Sequence, residues 1–231
     1  DALLEKMAKS QTKYERNEPT LPAKPEGDGI ISVSDLAAMF LNVTKDQPVS
    51  MLSRPIGWPP EAGVIEHPED YIGGNGGGGV GAGPGIAVGA ALALRDRASE
   101  RLPVAVVGDG DYTMSSNALW TAAANDIPLL VIVANNRAYF NDELHQQRVA
   151  KTRDREEANA WVGQRIDDPE GDICAIAEAQ GMTAEGPVDD RQDLIPALKS
   201  SIEKVRAGAS LVMEVKVTPE YATTPVHERK S

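Results

Sequence analysis

Cysteine is nearly absent, with one in 231 residues. That excludes an internal disulfide framework or a zinc cluster built on cysteines. Aromatic residues make up only 4%, too few for a base-stacking platform. Basic residues are also short. Lys and Arg number 23 against 35 Asp and Glu, a formal charge of −12. A net acidic chain repels phosphate backbones, which argues against nucleic acid as a partner. No apolar run approaches the ~20 residues of a membrane span. Asp1 to Ser10 lacks the apolar core of a secretory signal. What is present is a 41% apolar share beside 25% charged residues, an ordinary globular balance. The length suits one α/β domain, or one domain with an arm. A cytoplasmic protein is expected.

Asp1 to Gly29 ends in a Pro-rich stretch; its first dozen residues read as the end of a helix, the tail of a preceding domain, and the remainder as a linker. Val33, Leu36, Ala37, Phe40 and Leu41 repeat at helical spacing, with Ser32 or Ser34 as cap. Pro48 to Leu52 reads as a short strand, and Ser53 to Asp70, rich in proline, as an exposed loop. Ten of the 21 glycines lie between Gly73 and Gly89. Pro84 to Ala98 then reads as a helix of small apolar residues, buried on most sides. Pro103–Val107 and Leu129–Ala134 are continuous apolar runs, as strands covered on both faces are. Between them Asn117 to Asn125 reads as helical, and the mixed-sign run Lys151 to Glu157 as a solvated helix. A helix over Ile173 to Gln180, capped by Asp172 and stopped by Gly181, precedes another over Leu194 to Ala207 and a strand over Leu211 to Val217. Strands alternating with helices predict a parallel sheet flanked by helices on both faces.

In such a sheet, ligands bind beyond the carboxyl ends of the strands. One apolar strand ends at Gly108-Asp109-Gly110 and the other at Asn135-Asn136. Each alone is an ordinary turn signal. Together, 27 positions apart, they put a carboxylate and an amide oxygen at one crevice. That hard-oxygen pair suits magnesium or calcium, and magnesium with few protein ligands commonly also holds phosphate oxygens. Gly76-x-Gly78-x-x-Gly81 also satisfies a dinucleotide fingerprint, but no strand precedes it and position 101 is Arg. Asp109-x-Asp111 is a second rival, as a sugar-nucleotide metal site.

The segment GDGDYTMSSNALWTAAANDIPLLVIVANN, Gly108 to Asn136, resembles the cofactor motif of thiamine diphosphate enzymes. More particularly it is similar to the pyrophosphate-binding domain of the acetolactate synthase, benzoylformate decarboxylase and pyruvate decarboxylase group. GGGGVGAGPGIAVGAALAL is similar to that group's preceding segment. The resemblance covers Ile30 to Val217 and implies a cofactor domain over residues 30–220, with a tail over 221–231.

It implies thiamine diphosphate and Mg2+ as cofactors. Asp109, Asn136 and the main-chain carbonyl of Ala138 are the implied metal ligands. Gly108, Gly110, Asp111 and Tyr139 line the implied diphosphate site, Gly110 and Asp111 through main-chain N–H groups. The Asp111 side chain departs from the family's serine or alanine and has to point away from the phosphates. Gly78, Gly79 and Val80 carry the aminopyrimidine, with Val80 as the wedge that bends the cofactor and the Gly78 carbonyl accepting from its amino group. Valine is smaller than the family's usual wedge.

Asp142 is the first candidate for proton transfer, with Glu143 and His145 beside it. Arg54 is a candidate for a substrate carboxylate. Cys174 reads as core. The implied function is 2-oxo acid decarboxylation or carboligation, acetolactate synthase-like. 2-Hydroxyacyl-CoA lyase chemistry and a non-catalytic cofactor-binding subunit stand as alternatives. The family also uses a glutamate from a pyrimidine-binding domain. No such domain is found in this sequence, so the chain is expected to be the carboxyl-terminal part of a longer enzyme or one subunit of a split one. Its expected partners are that domain, a dimeric or tetrameric assembly, and a 2-oxo acid or acyl-CoA substrate.

Overall fold

The computed structural model describes residues 29–59, 62–63, 65–73 and 79–219. The linker expected before Gly29 and the tail over 221–231 lie outside them. Helix α1 spans Val33–Thr44. Ser32 caps it reciprocally: its hydroxyl accepts from the Asp35 N–H at 3.0 Å, and the Asp35 carboxylate accepts from the Ser32 N–H at 2.9 Å. There follow β1 (Val49–Ser53), α2 (Gly83–Asp96), β2 (Leu102–Gly108), α3 (Asp109–Ser115), a 3-10 turn at Ser116–Ala118, α4 (Leu119–Ala124) and β3 (Leu129–Asn135). Then come α5 (Phe140–Thr152), α6 (Ile173–Ala179), β4 (Thr183–Val188), α7 (Arg191–Arg206) and β5 (Ser210–Lys216).

The five strands form one sheet in the order β1-β2-β3-β5-β4, every pair parallel. Alternation along each strand sorts its residues between two layers. Val104, Val106, Leu130, Ile132, Leu211 and Met213 pack beneath α1 and α7. Ala105, Val107, Val131, Val133 and Val212 pack beneath α2, α3, α4 and α6. The expected parallel sheet covered on both faces is the architecture found.

Several sequence expectations need correction. β4 has no counterpart among them, because Gly186 and Pro187 interrupt it; it lies at the sheet edge, where proline is tolerated. The helix expected from Asn117 starts earlier and in two pieces, so Asp109 opens α3 instead of sitting in a free turn. The loop after β1 is not wholly exposed. Trp58 and Ala62 are buried, the Trp58 Nε1 donates to the Ala62 carbonyl at 3.2 Å, and the indole meets the Phe40 ring edge-on. Helix α2 buries only one face; Gly85, Gly89 and Ala93 remain exposed. Finally, α5 ends at Thr152, and Asp154 takes a positive φ of 50°, so the run to Glu157 leaves the helix. Among the described residues, no helix is long and apolar enough to cross a membrane.

Candidate cofactor site

The carboxyl ends of β1, β2 and β3 lie side by side, with Gly108 in register with Ala134. A cavity of about 360 Å³ opens there. Asp109 and Asn136 both line it, as do Gly79, Val80, Gly108, Gly110, Asp111, Ala138, Tyr139 and Asp142. Gly78 lies outside the described residues.

Asp109 is 4% exposed, and its Oδ2 has no hydrogen-bond partner among the described residues. Burial pushes its carboxyl up to about 6, against the opposing pull of main-chain N–H groups at Gly110, Asp109, Ala138 and Arg137. A buried carboxylate oxygen without a partner is costly. A cation in the cavity would relieve that cost, so the donor set fits magnesium. The adjoining turn is tightly built. Arg137 adopts φ 58°. The Asn136 Oδ1 accepts from the Ala138 N–H at 3.0 Å, and the Asn135 Oδ1 from the Arg137 N–H at 3.0 Å. Asn135 also donates through Nδ2 to Glu214, 2.8 Å away. The two asparagines therefore divide the work: Asn135 is buried and holds the turn, while Asn136 lines the cavity.

The glycines differ in why they lack side chains. A Cβ on Gly110 would stand 2.3 Å from the Tyr139 ring, whereas one on Gly108 or Gly79 would meet nothing within 4 Å. Gly110 thus makes room for the tyrosine. The Asp111 carboxylate turns toward the glycine segment, where its Oδ1 accepts from the Gly81 N–H at 2.5 Å and the Gly83 N–H at 3.4 Å. A Cβ on Gly83 would collide with it. Val80 is 46% exposed, a large apolar side chain left open on the cavity wall.

Of the proton-transfer candidates, Asp142 reaches the cavity. His145 is exposed and does not line it. Glu143 is buried, and both its carboxylate oxygens are engaged by Arg165 through two hydrogen bonds of 2.9 Å. Cys174 is half-buried; burial first, and the nearby Glu214 carboxylate second, push its thiol up to about 11. Sequence reasoning missed Arg165 and Glu214. An acid in the middle of an apolar strand was the available signal for Glu214.

Residues 61–214 match the thiamine pyrophosphate enzyme family, C-terminal TPP-binding domain. The chain belongs to that family. A thiamine diphosphate-binding domain also explains the neighbours in fold. Benzoylformate decarboxylase from Polynucleobacter necessarius superposes with a TM-score of 0.65 at 19% identity, over 91% of this chain and 36% of that one. The thiamine diphosphate-dependent 4-hydroxybenzoylformate decarboxylase of Rhodococcus jostii RHA1 gives 0.63 at 23% identity, over 88% and 36%. Sulfoacetaldehyde acetyltransferase from Alcaligenes xylosoxydans xylosoxydans is 28% identical over 124 residues, 53% of this chain and 19% of the relative. The chain thus spans about a fifth of that curated relative and about a third of the solved enzymes.

Proposed function

We propose that this domain binds thiamine diphosphate through Mg2+ and forms the cofactor-holding part of an enzyme that breaks or makes a carbon–carbon bond in 2-oxo acids. The observation that carries this reading is the unpartnered, buried Oδ2 of Asp109 in the cavity that Asn136 shares. Asp109, the Asn136 amide oxygen and the Ala138 carbonyl are the proposed metal ligands. A carboxylate and two neutral oxygens leave coordination positions that diphosphate oxygens would fill.

When bound, the cofactor supplies the electron sink for cleavage beside a carbonyl. The chain's own residues do the rest. Gly79 and Gly108 leave open space on the cavity side, which allows close backbone approach. Val80 presents the wedge. The Asp111 charge is held by the Gly81 and Gly83 N–H groups, which keeps it off the phosphates. Asp142, in the first turn of α5 and on the cavity lining, is the proposed proton carrier. The proposed partner element is a pyrimidine-binding domain, on another chain or segment, and a dimer or tetramer is the proposed assembly.

The decarboxylase neighbours support a 2-oxo acid substrate, and the acetyltransferase relative supports transfer of a two-carbon unit to a second acceptor. Calorimetric titration of thiamine diphosphate into the full chain, with and without Mg2+, tests the reading. Binding should require the metal and weaken at least ~100-fold in Asp109→Ala, as expected for loss of a charged metal ligand. Equal affinity in wild type and variant would overturn it.

A further inference from the structure

The cavity contains three carboxylates, Asp109, Asp111 and Asp142, and one cationic side chain among its described lining residues, Arg54. Arg54 follows directly on β1. Its guanidinium carbon sits 3.9 Å from the centroid of the Tyr71 ring. The Tyr71 backbone is itself anchored: the Met51 N–H donates to the Asp70 carbonyl at 2.9 Å, and the Ile72 N–H to the Met51 carbonyl at 3.1 Å, bracketing Tyr71 against β1. No described residue accepts a hydrogen bond or ion pair from the Arg54 nitrogens. By contrast, Arg101 nearby is paired with both Glu69 and Asp70. A guanidinium held over an aromatic ring by cation–π attraction keeps its N–H groups available for an anion. Such N–H groups match the two oxygens of a carboxylate or phosphate.

We propose that Arg54, backed by Tyr71, is an oxyanion subsite of this cavity, binding an ionised acid group through its guanidinium fork. The acid is either the phosphate end of the cofactor or the carboxylate of the substrate. The inference rests on the cavity being the cofactor and 2-oxo acid site.

The test titrates the full chain with four probes: inorganic pyrophosphate with Mg2+, thiamine diphosphate with Mg2+, thiamine, and benzoylformate in the presence of thiamine diphosphate and Mg2+. Wild type, Arg54→Gln and Arg54→Lys are compared after their unfolding midpoints are shown to agree. Arg54→Gln should weaken at least one anion by ~10- to 100-fold, the worth of a charge-assisted hydrogen-bonded pair. Arg54→Lys should fall between, and thiamine should be indifferent. Loss of pyrophosphate and thiamine diphosphate together identifies the phosphate. Loss of benzoylformate alone identifies the substrate acid. Unchanged affinity for every anion in Arg54→Gln, with wild type binding thiamine diphosphate, overturns the subsite and leaves the cofactor reading standing. Wild type that ignores thiamine diphosphate, yet loses pyrophosphate or benzoylformate binding in Arg54→Gln, overturns the cofactor reading and leaves the subsite standing. No anion binding by wild type overturns both.

Discussion

Arg165 closes on Glu143 with two parallel hydrogen bonds, Nε to Oε2 and Nη2 to Oε1, each 2.9 Å. Glu143 is 6% exposed, and Arg165 also bridges Ala138 through its main chain. On either side of that bridge, the Tyr139 N–H donates to the Gln164 carbonyl at 2.7 Å and the Ile166 N–H to the Arg137 carbonyl at 2.9 Å. The pair thus ties the first turns of α5 to the segment that braces the Ala138 turn. Arg165→Met leaves a buried carboxylate unpaired and should cost about 2–3 kcal/mol. Replacing both partners, as Glu143→Leu with Arg165→Met, should cost less than the single change. Urea unfolding of the three proteins checks this. An Arg165→Met chain as stable as wild type would contradict it.

Gly110 and Tyr139 make a second coupled pair. Gly110→Ala places a methyl where the tyrosine ring lies, so the ring must move and the variant should lose about 1–3 kcal/mol, the usual range for overpacking. Tyr139→Ala opens that space. In the double variant the methyl should be tolerated, giving a coupling energy of at least ~1 kcal/mol. Additive losses would show that the ring is not what requires glycine at position 110.

Val80→Ala separates wedge from binding. Val80 is nearly half exposed, so its truncation should change the unfolding free energy by under ~0.5 kcal/mol. In the proposed assembly with a pyrimidine-binding domain, thiamine diphosphate affinity should hold within a few-fold while hydrogen exchange at C2 of the cofactor slows. Exchange at the wild-type rate would refute the wedge role.

Cys174 offers a test by pH. Its thiol is pushed from an ordinary 9.0 up to about 11, first by burial and then by Glu214, whose Oε2 lies 3.8 Å from the sulfur. Alkylation by iodoacetamide at pH 8 should be roughly a hundredfold slower in the native than in the unfolded chain, because the thiolate is the nucleophile. A folded value raised above the unfolded one contributes stability below pH 9 that is lost as pH rises toward 11. Cys174→Ala should flatten that part of the stability profile. Equal native and unfolded alkylation rates would contradict the shift.

Apolar periodicity made the sheet legible, because strands covered on both faces must be apolar throughout. β4 escaped it because an edge strand with the exposed residues Thr183, Gly186 and Pro187 carries no such run. The cavity was legible where chemistry is tied to residue type, as at Asp109 and Asn136. It was not legible where a role depends on tertiary neighbours. Glu143 reads as a candidate for proton transfer until Arg165, 22 residues later, is seen to engage it. Gly110 reads as backbone access until the Tyr139 ring is seen above it. His145 lies only three positions from Asp142, yet it is exposed and does not line the cavity.

The central claim is that a divalent ion sits between Asp109 and Asn136. Crystals of the chain grown with thiamine diphosphate and Mn2+, a spectroscopic and anomalous-scattering substitute for Mg2+, would locate the ion directly. An anomalous peak within ~2.0–2.3 Å of an Asp109 carboxylate oxygen, the Asn136 Oδ1 and the Ala138 carbonyl oxygen, with phosphate oxygens completing an octahedron, is the result expected. A peak elsewhere, with the Asp109 Oδ2 still unpartnered, would contradict the account.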